Sequence, residues 1–64
     1  MKMGIFNEYR GYKGTIEYSY DDGIYFGCIK ETKDLVMYEA RNPSDLLEEF
    51  HKAVDEYIEF LGAL

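Results

Sequence analysis

The chain has 64 residues, enough for one small domain, and 13 acidic against 7 basic residues leave a formal charge of −6. That balance argues against nucleic acid or an anionic membrane as the direct ligand, since both call for a basic patch; it suits a basic partner protein and, equally, plain solubility. A domain of this size buries only about 60% of its extended-chain surface, and one cysteine with one histidine provides neither an internal disulfide nor a structural zinc site, so self-association is the expected support.

Met1 to Glu8 has no long apolar stretch and is interrupted by Glu8, so it reads as a lead-in rather than a secretory signal. From Gly11 to Tyr20 the pattern alternates, with Tyr12, Ile16, Tyr18 and Tyr20 on one face and Lys13, Thr15, Glu17 and Ser19 on the other. This predicts a half-buried strand, with Gly11 and Gly14 weakening its start or marking a bulge. Asp21-Asp22-Gly23 is a turn signal. With Asp22-Gly23 as a two-residue type I′ loop, Tyr20 faces Tyr25, Tyr18 faces Gly27 and Ile16 faces Ile29. Ile24, Phe26 and Cys28 then lie on the opposite face, and the second strand reads as buried on both sides. A three-residue loop reverses the faces, and both registers remain open.

Glu31 to Asp34 is polar and reads as a connection, and Leu35 to Ala40 reads as a third strand from its nearly continuous apolar run. A helix follows. Asn42 is the expected N-cap, Pro43 the first helical residue, and Asp45 sits near the positive end of the dipole. Leu47, Phe50, Val54, Tyr57, Ile58 and Leu61 recur at helical spacing as the packing face, and Gly62 is the expected C-cap. The fold class is therefore α+β: a three-stranded antiparallel meander packed by one C-terminal helix, β-β-β-α, in a single domain of 64 residues.

The candidates for chemistry are few. Glu17 and Glu48 are the acids one would ask about for a metal-dependent nuclease, which needs several carboxylates converging on a divalent ion. Asp21 and Asp22 are explained as turn formers. His51 has no Ser or Asp partner pattern and reads as a rim residue, and Cys28, among apolar residues, reads as a buried small hydrophobe. No catalytic residue, cofactor site or metal site is expected. The surface offers more: the helix carries Glu48, Glu49, Asp55, Glu56 and Glu59 away from its apolar face, and the seven tyrosines exceed what one small core needs. Tyr12 and Tyr25 are the tyrosines expected at a protein interface.

The hairpin Gly-Tyr-Lys-Gly-Thr-Ile-Glu-Tyr-Ser…Asp-Gly-Ile-Tyr-Phe-Gly (11–27) resembles the first two strands of HicB-type antitoxins. Residues 44–58, Ser-Asp-Leu-Leu-Glu-Glu-Phe-His-Lys-Ala-Val-Asp-Glu-Tyr-Ile, are similar to the helix of that family. The resemblance implies the HicB-like N-terminal domain of type II toxin–antitoxin systems, a partial ribonuclease-H-like fold. It implies neutralisation of a small basic ribonuclease toxin of the HicA type. In the family a further strand and a DNA-binding domain usually follow the helix; these 64 residues stop at Leu64, so direct operator binding is not expected, and the missing strand would leave a sheet edge open. The expected function is a non-enzymatic, cytoplasmic, self-associating antitoxin with no membrane contact. The alternatives are an acidic inhibitor of another nucleic-acid-processing or defence enzyme, and a degenerate structural module. The lone cysteine fits a reducing compartment, and no apolar run is long enough to span a bilayer.

Overall fold

The computed structural model describes residues 4–64. Four strands come first, β1 (Gly4–Tyr9), β2 (Tyr12–Ser19), β3 (Ile24–Cys28) and β4 (Met37–Ala40), followed by one helix, α1 (Pro43–Gly62). They form an antiparallel sheet in the order β1-β2-β3-β4. The α+β class and the antiparallel meander are as the alternation suggests, but there are four strands, not three. Gly4 to Glu8, expected as a lead-in, belong to β1; the first three residues of that lead-in lie outside the described residues.

The extra strand is made possible by the Arg10-Gly11 turn. Arg10 (φ 52°) and Gly11 (φ 89°) both adopt positive φ, the requirement of a two-residue primed hairpin turn. The primed turn thus falls here and not at Asp22-Gly23. At the second hairpin only Gly23 has positive φ, and its N–H donates to the Ser19 carbonyl at 2.8 Å. The Ser19 hydroxyl accepts the Asp22 N–H at 3.3 Å. The loop is Tyr20–Gly23, and Ser19 pairs with Ile24 and Tyr18 with Tyr25. The pairing expected for a two-residue loop is therefore displaced by two positions. Because side chains alternate with period two, that slip leaves every residue on its expected face.

β1 solves a second geometric problem. Its pairing shifts by one residue between Phe6 and Tyr9, so two side chains three positions apart both reach the helix side, as a bulge permits. Phe6 stacks on Phe50 with centroids 5.2 Å apart, and Tyr9 meets the same ring edge-on at 6.5 Å.

The helix begins as expected. The Asn42 side chain accepts the Asp45 N–H at 2.9 Å, with Pro43 just inside. Its far end differs: the helix runs through Gly62, and Ala63 in the right-handed region is the cap. The buried face is Leu46, Phe50, Val54 and Tyr57. Leu46, unassigned from the spacing, is fully buried, whereas Leu47 and Leu61 are exposed. The stripe is rotated toward Leu46 because α1 packs across β4, β3 and β1, over Tyr38 of β4, Ile29 just past β3 and, at the margin, Phe6 of β1. Leu35 is 80% exposed and lies ahead of β4, which starts at Met37.

The sheet is irregular at Thr15. The Lys30 N–H donates to the Lys13 carbonyl at 2.8 Å, so in a regular ladder Cys28 would next donate to the Thr15 carbonyl. It donates instead to the Thr15 hydroxyl, at 2.9 Å. The Thr15 carbonyl accepts the Tyr38 hydroxyl at 2.8 Å. A Cβ at Gly27 would overlap that carbonyl, and one at Gly14 would meet the Tyr38 hydroxyl and the Phe50 ring. Both glycines are present because their neighbours occupy the space a side chain would take.

Gly27→Ala opposes a methyl group to a backbone oxygen that side-chain rotation cannot move. It should cost about 3 kcal/mol or more, the upper end of overpacking, and leave the domain largely unfolded by circular dichroism and urea titration. Tyr38→Phe leaves the Thr15 carbonyl without its partner and should cost about 1–3 kcal/mol. Burial pushes the Tyr38 hydroxyl above the usual tyrosine range, with Cys28 adding to the effect. Its contribution is complete below the ordinary tyrosine pKa of about 10 and is lost as pH rises beyond it. The wild type should lose stability more steeply than Tyr38→Phe above that pH, as read by denaturant midpoints.

Candidate protein-binding site

Residues 48, 52, 55 and 59 recur at helical spacing on the side of α1 away from the sheet. Glu48, Asp55, Glu56 and Glu59 are exposed there, and Glu49 is half-buried at the margin. Lys52 stands among them and pairs with Glu49 at 3.7 Å. No basic residue occupies the last helical turn.

Asp55 is held within the chain. It accepts the Arg10 guanidinium at 2.8 Å and the Tyr9 hydroxyl at 3.0 Å, tying the first hairpin turn to the middle of the helix. The Arg10 hydrogen bond holds the Asp55 carboxyl below its usual range, and the Tyr9 hydroxyl assists. The same carboxylate pushes the Tyr9 hydroxyl up. His51 completes the group, its ring stacked on Tyr9 with centroids 4.0 Å apart, a half-buried position at the rim of the core. The acidic ridge outside that group therefore consists of Glu48, Glu56 and Glu59, with Glu49 at its margin paired to Lys52.

Tyr12 and Tyr25 lie on the helix side of the sheet. Tyr12 meets Tyr57 edge-on at 5.9 Å, and Tyr25 packs against Tyr18 at 4.7 Å. Both are half-buried against the core. Tyr57, with its hydroxyl 3.4 Å from Asp34, fastens the helix to the 30–36 connection; burial, with Asp34 assisting, raises its pKa. The tyrosine most open to solvent is Tyr20, 72% exposed at the tip of the β2–β3 loop.

Glu17 and Glu48 are not brought together. Glu17 alternates with Ile16 and Tyr18, which face the helix side, and so lies on the face of the sheet that α1 does not cover, whereas Glu48 is on the outside of α1. Among the described residues no group of three His, Cys, Asp or Glu side chains is placed to hold a metal ion. Among the described residues no helix is long and apolar enough to cross a membrane.

The β3 part of the uncovered sheet face, Ile24, Phe26 and Cys28, is what sequence reasoning assigned to the interior. Ile24, Phe26 and Cys28 are half-buried rather than buried, because no second layer packs on them. Ile5 (55%) and Met37 (58%) are exposed beside them. A shallow groove of about 560 Å³ runs over this face, lined by Ile24, Phe26, Met37 and Glu39 among others. The apolar character of alternate positions in β3 was readable; that only one helix exists to cover two apolar faces was the overlooked signal.

No family model matches the chain, and neither does any curated protein or solved structure.

The Asp55 group predicts a pH effect. Its stabilising contribution is present above the ordinary carboxylate range and lost as pH falls through the lowered value in the folded state. Asp55→Asn should loosen the first hairpin: amides of β1 exchange faster with solvent while those in the centre of α1 change little, and acid sensitivity of β1 protection disappears.

Proposed function

We infer that this chain is a non-catalytic protein-binding module whose acidic helix ridge engages a basic protein, and that this partner is a small ribonuclease toxin of the HicA type, held inactive in the cytoplasm in the manner of a HicB-type antitoxin. The observation that supports this reading is the ridge itself. Cations are favoured at a helix C-terminus and anions disfavoured, yet Glu56 and Glu59 lie toward that end and no basic residue follows in the last turn. Helix stability does not account for this arrangement, and attraction of a basic surface is the reading it supports here. The β2, β3, β4 and α1 elements also keep the β-β-β-α order that the family resemblance implies, with β1 added at the outer edge of β2. The finer reading, a partial ribonuclease-H-like arrangement, belongs to the same inference.

A carboxylate ridge would occupy the part of a ribonuclease that otherwise takes RNA phosphates, so inhibition would come from occlusion and need no chemistry by this chain. The test begins with a tagged copy in the native host. The expected result is stoichiometric recovery of one small basic protein whose RNA cleavage stops when the chain is added back. With that pair in hand, Glu48, Glu49, Glu56 and Glu59 are changed together to Gln. Association should slow by about tenfold or more at low salt and lose much of its ionic-strength dependence. An unchanged association rate would remove the helix ridge from the interface, and recovery of no basic nuclease would remove the toxin reading.

A further inference from the structure

The uncovered face of the sheet is built of rows that cross the strands, each about 6.6 Å from the next. One row holds Lys13 and Lys30, joined through the Lys30 N–H and Lys13 carbonyl. The next is mostly apolar: Ile5 pairs with Thr15, and Cys28 with Met37. The third sets Phe26 between two acids, Glu17 on β2 and Glu39 on β4. Basic, apolar and acidic rows thus follow one another along the strands. Among the described residues these four charges make no ion pair, the ion pairs there being Arg10–Asp55 and Lys52–Glu49; Glu8 and Glu31 line the same hollow as Lys13 and Lys30 without closing on them.

We propose that this face is the contact surface for a second copy of the chain, the two sheets packed face to face about a two-fold axis that runs across the strands through the Thr15–Cys28 row. Such an axis reverses strand direction while keeping each strand over its counterpart. It brings the basic row of one copy over the acidic row of the other, Lys13 against Glu17, twice by symmetry. Lys30 arrives over Phe26 and between the two acids, and the apolar row meets itself. A two-fold axis parallel to the strands would instead lay lysines on lysines and acids on acids. The charge order on the face therefore selects one orientation of one occupant, this same chain.

The size of the domain points the same way. Six residues form the buried core, and the chain has neither a disulfide nor, among the described residues, a metal cluster to supplement it. Packed sheets lie about 10 Å apart, so side chains of the two faces interdigitate as a second core. The helix ridge remains on the outside of the pair, so this inference is independent of the toxin reading.

Charge reversal tests it. Sedimentation equilibrium should find the wild type dimeric, with self-association weakened by about tenfold or more in both Glu17→Lys and Lys13→Glu. The double variant Lys13→Glu/Glu17→Lys, which restores opposite charges across the axis, should regain the dimer. Both positions of change lie on the uncovered face, and circular dichroism should show the fold intact in each variant. The variant lacking the helix-ridge charges should remain dimeric. A wild type that is monomeric up to millimolar concentration, a dimer that survives both single reversals, or a double variant that stays monomeric would each overturn the proposal.

Discussion

The hydrogen bond from the Tyr38 hydroxyl to the Thr15 carbonyl is the constraint around which the other elements are arranged. It takes a backbone acceptor out of the β2–β3 ladder, and the structure must then satisfy what it has displaced. The Thr15 hydroxyl supplies the missing acceptor to Cys28, a substitution open only to a residue with a side-chain oxygen near its own backbone. The carbonyl, turned toward the core, fills the place of a side chain at position 27, which is why that position is glycine. Phe50 and the Tyr38 hydroxyl likewise fill the place of a side chain at Gly14. A buried hydroxyl and a buried carbonyl are each satisfied by the other, and no buried side-chain polar atom among the described residues lacks a partner.

With Gly14 bare, the Phe50 ring comes down onto the sheet and becomes the point where the elements meet. Phe6 of β1, Tyr9 at its end and Tyr38 of β4 all contact it. The bulge in β1 exists for this purpose in a physical sense, since a regular strand would turn either Phe6 or Tyr9 away. Aromatic rings suit such a small core: each buries a large area, and tilted or edge-on contacts add to that burial. The first hairpin is then held twice, by rings beneath and by Asp55 gripping Arg10 and Tyr9 above. Positive φ at Arg10, unfavourable for a residue with a Cβ, places its side chain in a turn fastened by that ion pair.

The helix and the alternation of β2 and β3 were legible in the amino-acid pattern because each rests on local periodicity and local capping. What escaped was set by tertiary contact. β1 has no alternation to reveal it: Ile5 and Phe6 are adjacent apolar residues on opposite faces, and the bulge then breaks the period before Tyr9. Leu46 and Leu47 are both apolar, and only the direction in which α1 crosses the sheet decides which is buried. The loop of the second hairpin runs to four residues because the Ser19 side chain bonds within it, a contact the Asp-Gly signal does not announce. Of the acidic residues on the helix beyond Asp45, spacing placed all five on the outer side, but could not show that Asp55 is engaged by a turn 45 positions away.

Two surfaces remain once the internal contacts are accounted for, and they differ in kind. The outer helix ridge is charged and solvated, and its long-range field acts before contact; it suits rapid capture of a basic partner. The uncovered sheet face is apolar with charge at its margins, and it gains free energy only when water is expelled by a closely fitted layer. Among the described residues one helix covers one side of the four-stranded sheet, and nothing covers the other. Since side chains in β3 are apolar on both sides, the second side gains from a further layer laid over it. The order of charges along the strands distinguishes among candidate covers, because a layer that presents the same rows in reverse is available wherever a second copy of this chain is present.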